Sequence, residues 1–274
     1  ARLSEELHQP YHLWYTEVTR GMRAHLDGRY DDMARLTQTA FALGQQPQGA
    51  NAQPTFFLYT FMLNSELGRI TDVIDTFAAY AKDSQLLAWR AALAFSYSMI
   101  GRQDEALEEL AALAENDLAE IPRDCLWLAT LVELSRVVAR VGDVERAQTL
   151  YPLLLPYADR VCVVTGGFMC LGPVSRPLGL LAATIGDFES AIEHLEHALA
   201  GCHRLGSPPL IARAKTNLAN VFLTRGSTGD VEIARDLLGA ARRSASELGM
   251  AALVADVDVI LSTIANDRDR GGGS

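Results

Sequence analysis

Four groups of side chains in this sequence have types and spacings that could do chemistry. His194, His197, Cys202 and His203 lie close together, and histidines three apart share a helix face, as a pair of metal ligands would. Zinc also needs a closed ligand set with supporting partners. Ala191 and Leu195 mark the buried stripe of that stretch, so the histidines face outward and read as solvated surface, with no metal expected. Serine, cysteine and histidine occur without a nucleophile elbow or a positioned base. Carboxylate pairs such as Glu108-Glu109 fall in amphipathic stretches, where charge runs face solvent. No G-x-x-x-x-G-K-[ST] phosphate loop is present. The expectation is a chain with no catalytic residues, no cofactor and no turnover of its own. The fourth group is Arg136, Arg140, Arg176 and Arg213, whose planar guanidinium groups can grip carboxylates or phosphates in pairs of hydrogen bonds.

The elements that position these residues follow from a repeat. Glycine, a short polar step and an Ala-centred helical stretch recur at Gly28, Gly68, Gly101, Gly142 and Gly186, with an interrupted copy at Gly226 to Asp230. The spacings vary between 33 and 44 residues. Glycine suits the end of a helix because the left-handed backbone there costs it nothing. Five positions after each turn stands Met33, Val73, Ala106, Ala147, Ala191 or Ala234; seven before it stands Gly21, Phe61, Ala94, Ser135, Gly179 or Ala219. Small residues at those offsets let two helix backbones close against each other.

The pattern predicts an all-α, right-handed TPR-like solenoid of six helix pairs over residues 1–266. First helices cover about 9–26, 52–67, 84–100, 122–141, 172–185 and 208–225. Second helices cover about 30–43, 70–82, 103–115, 144–157, 188–204 and 230–248, and a capping helix covers about 250–265. Pro122 is placed at an early helical position, and no sheet is expected, Val161 to Val164 being the one strand-like run. Residues 267–274, ending Gly271-Gly272-Gly273-Ser274, read as a disordered tail or an added linker. The absence of an initiator Met suggests an excised part of something larger.

Composition narrows the partners. With 49% apolar and 21% charged residues the chain is a folded soluble type, and its formal charge of −10 argues against a nucleic-acid surface. No apolar run approaches membrane-spanning length, and the N-terminus carries no signal pattern. Cys125, Cys162, Cys170 and Cys202 lack the close pairing of a disulfide scaffold or zinc knuckle, so they read as reduced, mostly buried thiols in a cytoplasmic protein.

Pro122 to Met250 resembles the C-terminal TPR-like region of large bacterial signal-transduction ATPases, of LuxR-type regulators and of ATPases linked to class III nucleotidyl cyclases. The residues that carry the resemblance are Pro122-Arg123-Asp124 with Trp127, Tyr151 to Ala158, Gly172 to Ala182, Gly186 to Ala191 and Glu247-Leu248-Gly249-Met250. Leu13-Trp14-Tyr15 and Ala88-Trp89-Arg90 are similar to the same region upstream. Pro177 departs from the family, which more often has an aromatic there. The resemblance implies a non-catalytic sensor and protein-binding scaffold of a multidomain signalling ATPase or transcriptional regulator. The alternative is a small-molecule effector receptor.

In such stacks the first helix of each pair lines the concave face. Offsets from the turn glycines place Tyr15, Met22 and His25 there, then Phe95 and Met99, Arg136 and Arg140, Arg176, and Arg213 with Asn220. Four arginines on one inner path of an acidic protein would suit an acidic peptide, a neighbouring domain or a small anionic effector; equally, they could pair with acids such as Glu133 and brace the stack. The long Gly-rich stretch from Arg160 to Pro173 offers Phe168 and Met169 either as binding residues or as a plug between repeats.

Overall fold

A helix that runs into a glycine with left-handed backbone stops there, and the chain divides itself in this way. In the computed structural model, which describes residues 10–45, 52–114, 118 and 121–271, Gly28, Gly68, Gly101, Gly142 and Gly186 all have positive φ. After Gly142 and Gly186 an aspartate opens the next helix at once. Asp143 accepts from the Arg146 amide at 3.0 Å and Asp187 from the Ser190 amide at 3.1 Å. One residue ends a helix and the next satisfies an orphan amide of its successor, leaving the tight turn of a helical hairpin.

Thirteen α-helices result among the described residues. They are α1 (Pro10–Asp27), α2 (Tyr30–Gly44), α3 (Ala52–Glu66), α4 (Ile74–Asp83), α5 (Leu87–Met99), α6 (Gln103–Ala114) and α7 (Trp127–Val141). After them come α8 (Val144–Leu154), α9 (Ser175–Ile185), α10 (Phe188–Leu205), α11 (Pro208–Arg225), α12 (Asp230–Leu248) and α13 (Ala251–Gly271). Successive helices pack as hairpins, with α13 against α12. The small residues sit where the offsets placed them: Ala94, Ser135 and Ala219 before the turns, and Ala106, Ala147, Ala191 and Ala234 after them, all have 0% exposure. At Gly179 an added Cβ would lie 2.5 Å from Leu195 Cγ and 3.0 Å from the Ala191 carbonyl oxygen, so nothing larger than hydrogen fits between α9 and α10.

Four local departures have physical causes. Val161–Val164 (β1) and Met169–Pro173 (β2) form an antiparallel hairpin where no sheet was expected; β-branched residues supply β1, and Gly166 and Gly167, both at positive φ, turn the chain. Pro122 does not start a helix. Asp124 accepts from the Leu126 amide at 2.8 Å and holds a turn, and α7 begins only at Trp127. The fourth helix is split: Ile70–Asp72 is a 3₁₀ turn, so Ile74 rather than Val73 is the buried residue that opens α4. α8 tightens into a 3₁₀ turn at Leu155–Tyr157, where Pro156 brings no amide to the α-helical ladder.

The array bends round until its first pairs meet its last. α1 packs on α11 and α3 on α13, while β1 packs on α7 and β2 on α1 and α10. A Cβ at Gly28 would meet Leu248 at 2.6 Å and Pro209 at 3.2 Å, and one at Gly68 would meet the Ala252 amide nitrogen at 3.3 Å. The first helices therefore surround a central space rather than an open furrow. None of the described helices is long and apolar enough to cross a membrane.

Candidate functional site

Among the described residues two cavities occupy that central space. The first, about 480 Å³, has mostly apolar walls, among them Leu58, Met62, Trp89, Phe95 and Phe168, with Glu66, Glu133, Arg136 and Arg213 as its charged lining. The second, about 600 Å³, is lined by Arg136, Arg140, Arg176, Arg213, Asn217 and Asn220, with Asp256 and Ile260 from α13. Phe95, Met99, Arg136 and Arg213 line both, so the two are chambers of one channel. Each has the volume of an ordinary ligand site.

The wall between the chambers is electrostatic. Glu66, at the end of α3, is buried and receives a hydrogen bond from Arg213 of α11 at 2.6 Å; His25 Nε2 of α1 lies 3.5 Å away. Burial alone would raise the Glu66 carboxyl, but Arg213 and His25 override it and hold the group down at about 2. Burial, with Glu66 nearby, pushes the Tyr30 hydroxyl well above its usual range. On the facing side Arg136 donates to both carboxylate oxygens of Glu133 at 2.8 Å, and its guanidinium lies 3.7 Å over the Phe95 ring.

The four arginines therefore differ. Arg136 and Arg213 are held by acids, and Arg140 donates to the Ser98 carbonyl at 3.0 Å, so these three also brace the stack. Arg176 is only 6% exposed, and its Nε has no hydrogen-bond partner. Burial and the charges of Arg136 and Arg213 pull its guanidinium down to about 10.

Other predicted site residues are sorted by the hairpin. Tyr15 lines the first chamber and donates to the Gly166 carbonyl, and Phe168 meets Trp14 edge-on at 5.6 Å while facing the same chamber. Tyr59 reaches the Phe168 carbonyl at 2.6 Å and the Val18 carbonyl at 2.5 Å, tying hairpin to α1. Met169 lines neither chamber: it has 0% exposure and belongs to the core, because β2 is buried along its whole length. Met22 lines neither chamber, since the turn of α1 directs it toward Leu26, Cys170, Cys202 and Leu210; His25 is buried against Glu66. His194 is half-buried and contacts the Tyr151 hydroxyl at 2.9 Å, while His197 lies 3.6 Å from Asp159. Among the described residues no three His, Cys, Asp or Glu side chains converge as metal ligands would. Cys162, Cys170 and Cys202 are buried and Cys125 is exposed.

Sequence reasoning missed Glu66, Trp89 and the α13 face. Glu66 did leave a signal, as the sole charged residue of α3. A lone acid closing an otherwise uncharged helix asks for a buried partner. The α13 residues left none, because what was read as a cap also supplies channel wall.

No protein-family model matches the chain, and no curated protein matches it in sequence. Among solved structures it is similar to a Rap protein complexed with Competence and Sporulation Factor, at 13% identity and a TM-score of 0.53, over 94% of this chain and 75% of that one. At that identity the likeness establishes the fold alone: a TPR-like array of helical hairpins.

Proposed function

We propose that the chain is a non-catalytic interaction domain that holds an extended protein segment in its central channel, as the sensor arm of a multidomain bacterial signalling ATPase or transcriptional regulator in the cytoplasm. The observation that carries this reading is the pairing of chambers. An apolar, aromatic-walled chamber runs into one lined by arginine and by Asn217 and Asn220. A peptide presents both chemistries along one strand: apolar side chains for the first, backbone amides and charged groups for the second. The likeness in fold to a Rap protein complexed with Competence and Sporulation Factor supports a binding role, and the resemblance of Pro122 to Met250 supports the signalling context.

The test is a block. Ala92 lines the apolar chamber, and Ala92→Trp would fill it from a helix that stays in place. Peptides selected from a random library against the chain should lose at least about tenfold in affinity for Ala92→Trp. Unchanged affinity would sink the channel reading. A second reading, a small apolar effector with one anionic group, is favoured by the size of the first chamber and the arginines in its lining.

The same proposal predicts no turnover. Purified chain should neither hydrolyse ATP nor make cyclic nucleotides, since phosphate loop and positioned nucleophile are both lacking in the sequence. Activity that co-purifies with the chain and disappears with a point mutation inside it would overturn this.

A further inference from the structure

Arg176 lies in the first turn of α9 and lines the second chamber, buried almost wholly from solvent. An arginine buried this deeply normally has a carboxylate against it, because an uncompensated charge in a protein interior is costly. Here the nearby acids are committed elsewhere. Glu133 is gripped by Arg136 through both oxygens, and Glu66 by Arg213. Among the described residues Arg176 has no ion pair, its Nε has no acceptor, and Arg136 and Arg213 repel it. Glu66 and Glu133 line only the apolar chamber, so four arginines line the second chamber against a single acid, Asp256. The chamber carries an excess of positive charge at the one arginine that is not already hydrogen-bonded within the wall.

We propose that Arg176 is the anion subsite of the channel, taking a carboxylate of the bound peptide in its guanidinium. The carboxylate comes from an aspartate or glutamate side chain or from a peptide C-terminus. This rests on the peptide reading of the channel and specifies its ligand. Arg136 and Arg213 flank the subsite and set its sign, while their own acids keep them in place. Asn217 and Asn220 line the same chamber and are suited to the adjoining peptide backbone.

The test selects peptides from a random library with free C-termini against the chain and against Arg176→Met, which keeps most of the apolar stem of the side chain without its charge. Wild-type chain should enrich peptides with Asp or Glu at one fixed position, or with a fixed distance from apolar anchor to C-terminus; the two patterns distinguish the two sources. The variant should still enrich the apolar anchors and lose the acidic or terminal requirement. A selected peptide in which the fixed acid is replaced by its amide, or the terminus amidated, should bind wild-type chain at least about tenfold more weakly, a measurement that does not depend on the variant folding. Peptides enriched without any acidic or terminal requirement would overturn the subsite and leave the channel reading standing. Failure to enrich any peptide would overturn both.

Discussion

Replacing Glu66 with glutamine is expected to destabilise the chain by about 3–5 kcal/mol, the cost of removing one partner from a buried ion pair. In a protein of this size that lowers the melting temperature by roughly 6–20 °C. The cause is not the lost bond alone. Arg213 would remain in the wall without its ion-pair partner, in the lining of the second chamber with Arg176 and Arg136. Glu66 also contributes to the acid sensitivity of the fold. Its carboxyl sits at about 2 in the folded chain against an ordinary 4.5. Because the folded value is the lower one, the stabilisation is complete above about 4.5 and is lost as the pH falls toward about 2. Wild-type stability should therefore fall over that window, and the glutamine variant, already destabilised at neutral pH, should show a shallower fall. A glutamine variant that melts with wild type would remove the pair from the list of what holds the channel closed.

Gly179→Val should be nearly as damaging, at about 3 kcal/mol, through overpacking. The added carbon would meet the Ala191 carbonyl oxygen at 3.0 Å as well as Leu195, and the carbonyl belongs to a helix backbone that cannot rotate aside. A mid-helix glycine ordinarily gains about 1 kcal/mol on replacement by alanine. Gly239 of α12 supplies the control, since a Cβ there would meet only Arg243 Nη1 at 3.6 Å. Gly239→Ala should raise the melting temperature while Gly179→Val lowers it. A Gly179→Val variant at least as stable as wild type would show that propensity, not the closeness of α9 to α10, governs that position.

Those two glycines also mark what could be read before any coordinates. Gly179 announced itself by its offset from Gly186, and the same offsets located Ala94, Ser135 and Ala219, because helix pairing is a local, periodic constraint. Tyr15, Phe95, Arg136, Arg140, Arg176, Arg213 and Asn220 all line the channel for the same reason: one face of each first helix turns inward. What escaped was everything set by closure. Glu66 meets Arg213 across 147 positions of sequence, and no period links them. Met169 and Phe168 are adjacent in the chain and part company because Phe168 sits in the helical turn that precedes β2 while Met169 opens a strand buried along its length, so reading that stretch as a loop assigned both to one role. Pro122 misled because a proline that suits a helix start also suits the turn that Asp124 makes before it.

A row of repeats that touch only their neighbours melts like a zipper, from whichever end is weakest. This row has its first turn wedged against Leu248 and Pro209 and its third helix pinned by Arg213. Fraying the first pair would expose the buried Glu66 and loosen α11, and fraying α11 would strip the partner from α3. Each edge guards the other, so the units should lose their individual melting and exchange amide protons together, as one cooperative block. It also makes the number of repeats a matter of circumference. A repeat added or removed would not lengthen or shorten the channel but would prevent it from meeting itself.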